Sequence, residues 1–115
     1  MDKKTFIQIL KKNENISITL VIECKKSKKL LGSLKLLFEQ KFFKNGCLCV
    51  YYEDLIIDKD HRKKGLGTLI NKIALEICEK KKCHRIVLIG DPDNVEFYLK
   101  NGYKRDGIAL GKKFF

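Results

Sequence analysis

The sequence lacks tryptophan and contains a single proline and a single methionine among its 115 residues. It also lacks any apolar stretch near the roughly 20 residues that a membrane-spanning helix requires, and its amino terminus shows no secretory signal. A membrane-spanning or secreted protein is therefore not indicated. The length and a hydrophobic content of 44% instead predict one soluble, cytoplasmic domain over residues 1–115, with a core of its own.

Patterns that indicate disulfide frameworks or metal sites are also missing. Five cysteines, an odd number, occur without a secretory signal, which favours reduced thiols. Neither Cys47-x-Cys49 nor Cys83-His84 has the paired C-x-x-C spacing of zinc sites, so we expect no metal. Cys83 is also not expected to act as a nucleophile with His84, because adjacent residues of a strand point to opposite faces.

Acidic residues are few: there are 14, against 25 lysines and arginines, which gives a net charge of +11. A charge of this size is compatible with nucleic-acid binding. However, only Arg62, Arg85 and Arg105 are arginines, the residue type that base readout favours. The lysines form doublets spread along the chain. We therefore expect no nucleic-acid partner and interpret the charge as solvated surface that also attracts a polyanionic small molecule.

The hydrophobic pattern predicts an α+β fold. Apolar residues at helical spacing indicate helices over residues 3–12, 66–81 and 94–100. Alternation or short apolar runs indicate strands over residues 16–24, 30–39, 48–57, 85–90 and 103–110, with a loop over residues 41–46. The first three strands are expected to be antiparallel, whereas the helix before the fourth implies one parallel crossover. The prediction is a mixed, mostly antiparallel sheet flanked by helices.

One loop, between a predicted strand and a predicted helix, has the composition of an anion-binding site. Its residues are Arg62-Lys63-Lys64-Gly65-Leu66-Gly67-Thr68. A loop of this kind directs backbone N–H groups toward one point at a helix N-terminus, where an anion binds favourably. Glycine allows a phosphate to approach because it has no Cβ atom. An ordinary glycine-containing turn is the alternative interpretation.

This loop resembles the coenzyme-binding motif of the GNAT superfamily of N-acetyltransferases. Residues 94–103, N-V-E-F-Y-L-K-N-G-Y, resemble the second signature of that superfamily. The similarity is closer to one family, the glucosamine 6-phosphate N-acetyltransferases. Five segments of this chain resemble motifs of that family, whose own letters are given in brackets: residues 52–57 (I-E-D-[IV]-[AV]-V), 61–67 (Y-R-G-K-G-L-G), 83–86 (C-Y-K-I), 93–98 (K-N-V-x-F-Y) and 31–43 (I-G-T…E-x-K-F-I).

The resemblance implies a single N-acetyltransferase domain of the GNAT fold. It would transfer acetyl directly from acetyl-CoA to the amine of glucosamine 6-phosphate, in UDP-N-acetylglucosamine biosynthesis. Tyr98 would protonate the leaving thiolate, and Glu53 and Asp54 would position the amine. The implied coenzyme contacts are Leu55, Ile56, Ile57, Arg62, Lys63, Lys64, Gly65, Leu66, Gly67, Thr68, Asn94, Tyr98 and Lys100. The implied sugar-phosphate contacts are Lys41, Phe42, Phe43, Lys44, Glu53, Asp54, His84, Arg85, Ile89 and Lys113.

The resemblance also implies a homodimer, because His84 and Arg85 match positions contributed by the partner subunit. Three features depart from the family pattern. The chain begins near the end of the family's second helix, so the fold is expected to be N-terminally shortened. Ile89 stands where the family has an acidic residue, and Gly90 stands where it has a cysteine.

Other interpretations therefore stay open. A GNAT acetyltransferase acting on another small-molecule or protein amine is one, and a non-catalytic module that binds coenzyme or nucleic acid is another. The residue pattern alone also allows simpler roles for the candidate catalytic residues. Tyr98 would then be a helix aromatic packed on the sheet, and Glu53 and Asp54 would be a strand end that enters solvent.

Overall fold

The computed structural model describes all residues, 1–115, and contains four helices and four strands. Two single 3-10 turns, Lys59–His61 and Pro92–Asn94, lie in the connections. The other elements, in chain order, are α1 (Lys3–Asn13), β1 (Ser17–Glu23), β2 (Leu30–Gln40), α2 (Phe43–Gly46), β3 (Leu48–Ile57), α3 (Leu66–Lys80), β4 (Arg85–Val87) and α4 (Val95–Lys100).

The four strands form one sheet in the order β1-β2-β3-β4. The first two pairings are antiparallel and the third, between β3 and β4, is parallel. A parallel pair cannot be joined by a tight hairpin, and here α3 provides the crossover. The predicted mixed, mostly antiparallel sheet with one crossover is confirmed.

The core lies between one face of the sheet and α3. The alternation of β2 places Leu34 and Leu36 on the same face, both fully buried. Every third or fourth residue of α3 faces them, because a helix repeats every 3.6 residues. The buried cluster consists of Leu34, Leu36, Val50, Tyr52, Ile70, Ala74 and Cys78.

Ile70 provides a direct test of this core. Its side chain is 2% exposed, so Ile70→Val removes one buried methyl group and should lower the free energy of unfolding by about 0.5–1.5 kcal/mol. Ile108, which is 89% exposed, is the matched control, because the same substitution there removes nothing from the core. Urea unfolding of both variants measures the difference; equal losses would contradict this placement of the core.

Two predicted strands differ from the structure. Residues 103–110 form no strand, and the prediction was wrong because an extended segment needs a neighbouring strand, which this segment lacks. All residues from 104 to 115 are exposed. The predicted strand over residues 85–90 ends at Val87, because hydrogen bonding to β3 stops there.

The predicted loop over residues 41–46 is confirmed as an irregular turn: α2 is not a regular helix, because Lys44 and Asn45 have left-handed backbone with φ angles of 49° and 59°. The helix predicted over residues 3–12 is confirmed as α1, although none of its residues is buried. Its apolar side chains Phe6 and Leu10 are each 54% exposed. No helix combines the length and the apolar character needed to cross a membrane.

Candidate active site

The central feature of the site is the divergence of β3 from β4. The two strands pair only from Cys49 to Tyr51 on one side and from Arg85 to Val87 on the other. β3 continues to Ile57, paired with β2 alone. Beyond Tyr51 the other edge of β3, which includes the predicted coenzyme contacts Leu55, Ile56 and Ile57, therefore has no strand beside it. An unpaired edge of this kind can accept an extended ligand as an added strand.

A β-bulge lies on β3 at the two candidate carboxylates. Ser33 pairs with Ile56 and Lys35 pairs with Glu53, so β3 contains one residue more than β2 in this interval. Asp54 has a φ angle of +55°, a conformation that Asp tolerates better than most residues. Bulges redirect side chains and are frequent beside active sites. Glu53 and Asp54 are both exposed and take part in no salt bridge, which leaves both carboxylates available to a substrate amine.

The predicted anion-binding loop is tied to the end of β3. The Arg62 Nε atom donates a hydrogen bond to the carbonyl oxygen of Ile57 at 3.1 Å. His61 Nδ1 lies 2.6 Å from Asp58 Oδ2, and this hydrogen bond lowers the pKa of the Asp58 carboxyl. The segment between strand and helix is thus held at both its strand end and its turn.

The loop presents free backbone N–H groups at the start of α3. Lys63 and Gly65 have positive φ angles of 63° and 81°, which turns the chain sharply into the helix. The first backbone hydrogen bond of α3 is donated by the Leu69 N–H to the Gly65 carbonyl at 3.0 Å. The N–H groups of residues 66–68 precede it and therefore have no helical acceptor. Together with the positive end of the helix dipole, they form a binding position for a phosphate group.

Gly65 and Gly67 lack a side chain for different structural reasons. A Cβ atom on Gly65 would meet nothing within 4 Å, so that side of the loop is open to a ligand. A Cβ atom on Gly67 would lie 3.3 Å from two ring carbons of Phe97. Gly67 therefore permits close packing of α4 against α3, a role that the sequence interpretation missed. Phe97 was not among the predicted site residues, yet its ring packs α4 against Gly67 of the anion-binding loop.

Tyr98 projects from α4 into a cavity of about 710 Å³, lined also by Ile89, Tyr103 and Arg105. The cavity lies between the end of β4, α4 and the carboxyl-terminal segment. Partial burial raises the pKa of the Tyr98 hydroxyl, so the phenol keeps its proton at neutral pH. The other predicted coenzyme contacts here, Asn94 and Lys100, are exposed just before and at the end of α4. Thr68 and Lys64 are exposed on the loop.

Five of the predicted sugar-phosphate residues, 41–44 and His84, form a separate group at the turn between β2 and β3. The Phe43 ring packs edge-on against the His84 ring, with centroids 5.9 Å apart. Lys41 Nζ lies 2.9 Å from Glu39 Oε2 and 5.9 Å from the centre of the Tyr51 ring. Lys44 and Phe42 are exposed beside them.

Within one chain this group and the carboxylates do not meet. The His84 N–H donates to the Leu48 carbonyl at 2.8 Å, which places the group at the beginning of β3. Glu53 is five residues further along the strand, or roughly 17 Å away. Arg85 contacts Asp106 at 3.4 Å, and Lys113 lies in the exposed carboxyl-terminal segment.

Sequence reasoning also missed a buried polar network around Asn71. The available signal was a polar residue at a core-facing position of an otherwise apolar helix face, because Asn71 lies between Ile70 and Ala74.

No three His, Cys, Asp or Glu side chains are grouped so that they could hold a metal ion.

Solved structures identify the fold as that of acetyltransferases. The crystal structure of glucosamine-6-phosphate N-acetyltransferase from Arabidopsis thaliana superimposes with a TM-score of 0.86, over 97% of this chain and 76% of that one. The sequence identity in this superposition is 24%, so the comparison establishes the shared fold. Residues 2–103 match the model of the Acetyltransferase (GNAT) family. The chain belongs to this family and is an acetyltransferase.

Curated relatives agree with this assignment. The chain is 29% identical over 93 residues to glucosamine 6-phosphate N-acetyltransferase of Schizosaccharomyces pombe, covering 81% of this chain and 84% of that protein. It is 29% identical over 105 residues to glucosamine 6-phosphate N-acetyltransferase 1 of Dictyostelium discoideum, covering 91% of this chain and 66% of that protein. The predicted fold class and the resemblance to these N-acetyltransferases are confirmed.

Proposed function

We propose that this acetyltransferase transfers acetyl from acetyl-CoA to the amine of glucosamine 6-phosphate, a step of UDP-N-acetylglucosamine biosynthesis. The observation that carries the proposal is the divergence of β3 and β4 beyond Tyr51 and Val87. It leaves a free strand edge that leads from the loop before α3 toward the carboxylates of β3. The two curated relatives described above are named for this substrate, which supports the choice of acceptor.

The residues present fit acetyl-CoA. The open space beside Gly65 and the free N–H groups of residues 63–68 would hold the pyrophosphate, with Arg62, Lys63 and Lys64 adding positive charge. The unpaired edge of Leu55, Ile56 and Ile57 would pair with the amide groups of the pantetheine arm. Bound there, acetyl-CoA supplies an activated acetyl group as a thioester.

The chain's own residues would divide the chemistry between them. Glu53 and Asp54 would accept hydrogen bonds from the substrate amine and orient its lone pair toward the thioester carbonyl. Backbone N–H groups on the free edge of β3 would stabilise negative charge on the carbonyl oxygen. As the amine nitrogen bonds to the carbonyl carbon and the carbon–sulfur bond breaks, the Tyr98 hydroxyl would give its proton to the departing sulfur. The proton that the amine nitrogen loses would pass to solvent, from which the Tyr98 oxygen is protonated again.

The acceptor site is proposed to require a second copy of the chain. The basic group around Lys41 and His84, which would contact the phosphate, is separated along β3 from Glu53, which would contact the amine. In a single chain these two sets of contacts are therefore too far apart for one substrate molecule. The carboxyl-terminal segment is also uncovered: Ile108 is 89% exposed and Leu110 is 93% exposed, and apolar side chains exposed close together are typical of an interaction surface. A homodimer would cover this segment and bring His84, Arg85 and Lys113 of one copy to the other.

The buried thiols of Cys49 and Cys78 suit a reducing compartment, in line with a cytoplasmic enzyme.

One observation favours a different acceptor amine. Ile89 is 83% exposed and lines the Tyr98 cavity, where the family pattern has an acidic residue. An apolar side chain at this position suits an acceptor less polar than a sugar phosphate. The non-catalytic alternative has no such support, because Glu53, Asp54 and Tyr98 are all present and unpaired.

A panel of acceptors tests the proposal. Release of free thiol from acetyl-CoA would be measured with glucosamine 6-phosphate, glucosamine, spermidine and a lysine peptide. We expect the highest kcat/KM with glucosamine 6-phosphate. With glucosamine, kcat/KM should be reduced by at least about tenfold, because charge-assisted contacts to the phosphate are lost. Turnover of another amine without turnover of glucosamine 6-phosphate would reject the proposed acceptor and favour the alternative.

The pH dependence of kcat tests the proton donor. A general acid must carry its proton, and burial raises the pKa of Tyr98, so kcat should fall only above the ordinary tyrosine pKa of about 10. Saturating rates measured in steps across the alkaline range would locate this fall. A decline that begins near neutral pH and persists in Tyr98→Phe would contradict the assignment, because a different group would then be titrating.

A further inference from the structure

We infer that Asn71, acting through Tyr103, holds the ring of Tyr98 in position for proton donation. Asn71 and Tyr103 are thus positioning residues, and the inference rests on the proposed role of Tyr98. It concerns a buried hydrogen-bonded network of Tyr52, Asn71 and Tyr103. Of its three polar residues, Tyr52 and Tyr103 lie within segments that resemble family motifs, whereas Asn71 lies outside them.

Asn71 is the centre of this network. Its side chain is 3% exposed and lies among the apolar core residues of α3. Its Oδ1 atom accepts a hydrogen bond from the Tyr103 hydroxyl at 2.7 Å and another from the Tyr52 hydroxyl at 3.2 Å. Burying a polar amide without partners is costly, so these two bonds make the position of Asn71 and the two tyrosines interdependent. The network joins β3, α3 and the chain that follows α4.

Tyr103 transmits this constraint to Tyr98. The two rings pack edge to face, with centroids 5.5 Å apart and an interplanar angle of 79°. The Tyr103 N–H also donates to the Tyr98 carbonyl oxygen at 3.1 Å. Tyr103 is therefore fixed at its hydroxyl by Asn71 and at its backbone by Tyr98 itself.

Tyr98 has no comparable anchor of its own. Its hydroxyl makes no hydrogen bond within the protein, whereas the hydroxyls of Tyr52 and Tyr103 both do. The direction of its ring is thus set by packing, against Tyr103 on one side and Phe97 on another, with ring centroids 5.2 Å apart in the second pair. A proton donor needs a hydroxyl that is not already hydrogen-bonded, so the Tyr98 ring can be oriented only by packing against its neighbours. Displacement of a reacting group by about 1 Å costs on the order of 100-fold in rate, so the anchoring of Tyr103 matters for catalysis.

Tyr103→Phe and Asn71→Leu test the inference, with Tyr52→Phe as the matched control. Each of the first two breaks the bond between Asn71 and Tyr103, and each should lower kcat about 5- to 20-fold with the Kd for acetyl-CoA unchanged. The double variant should be no slower than the slower single variant, because both remove one interaction. Tyr52→Phe removes the longer bond to the same Asn71 atom and should leave kcat within about twofold.

The same substitutions in a Tyr98→Phe background separate positioning from a general loss of stability. There, neither should slow the reaction further, since no hydroxyl is left to aim. NMR measurement of the Tyr98 ring-flip rate provides a readout independent of activity, and this rate should rise in Tyr103→Phe. If Tyr98→Phe is slow, an unchanged kcat in Tyr103→Phe, or the same fold-loss in both backgrounds, would overturn the inference. If Tyr98→Phe alone left kcat unchanged while the ring-flip rate still rose in Tyr103→Phe, the proton-donor role would fail and the positioning of the ring would stand.

Discussion

Tyr98→Phe is expected to lower kcat by about 10²- to 10⁴-fold, the contribution typical of a positioned general acid. The substitution keeps the ring that packs against Tyr103 and removes only the hydroxyl. The Kd for acetyl-CoA should therefore change little, since all but three of the implied coenzyme contacts lie on β3 and on the loop before α3. Steady-state rates combined with a binding titration separate the two effects.

Thermal unfolding provides the control for this variant. Because the Tyr98 hydroxyl has no partner within the protein, its removal should leave the melting temperature nearly unchanged. A variant that is stable, binds acetyl-CoA and turns over at the wild-type rate would remove Tyr98 from the mechanism. The proposal for the acceptor would survive that outcome, whereas the assignment of the proton donor would not.

Gly65→Val is expected to weaken acetyl-CoA binding about 5- to 150-fold, equivalent to a strain of about 1–3 kcal/mol. Gly65 has a φ angle of +81°, which a β-branched residue adopts only with strain. Valine would move the loop out of this conformation and turn its N–H groups away from their common point. Binding would then have to restore the strained conformation, so the binding free energy would become less favourable by that amount.

Gly107→Val is a matched control for the second prediction. Gly107 also has a φ angle of +81°, and a Cβ atom there would also meet nothing within 4 Å. It lies in the exposed carboxyl-terminal segment and lines the Tyr98 cavity, to which no residue of the loop before α3 contributes. Calorimetric titration of both variants should show weakened binding in Gly65→Val alone. Equal affinities in the two variants would mean that the loop does not hold the coenzyme.

The features that sequence could predict are local ones. The amphipathic helix from Leu66 to Lys80 and the glycine-containing loop before it are contiguous in the chain, so periodicity and composition were sufficient to find them. Asp91, which precedes Pro92, is also a local feature: its side chain caps the following turn by accepting a hydrogen bond from the Asp93 N–H at 2.9 Å. Such capping depends on neighbouring residues alone.

The features that sequence missed depend on distant partners. A strand over residues 103–110 was predicted from its composition, but a strand forms only where another strand offers hydrogen bonds, and β4 ends at Val87. The network of Tyr52, Asn71 and Tyr103 joins residues 19 and 32 positions apart, a distance that no local pattern reveals.

The bulge at Glu53 and Asp54 was also beyond local prediction. The pair was placed correctly on β3, yet nothing in two adjacent acidic residues indicates that one has a left-handed backbone. The positive φ angle of Asp54 follows from the unequal number of residues in β2 and β3 between their paired positions. Register of this kind is fixed by the packing of the whole sheet face.

Titration of the purified chain with acetyl-CoA in a calorimeter tests the account at its centre, because every proposed step depends on a thioester held along the free edge of β3. The account predicts saturable binding of one acetyl-CoA per chain, with affinity that falls as salt is added, since the loop contributes Arg62, Lys63 and Lys64 to a diphosphate. The absence of any binding heat from a folded chain would contradict it.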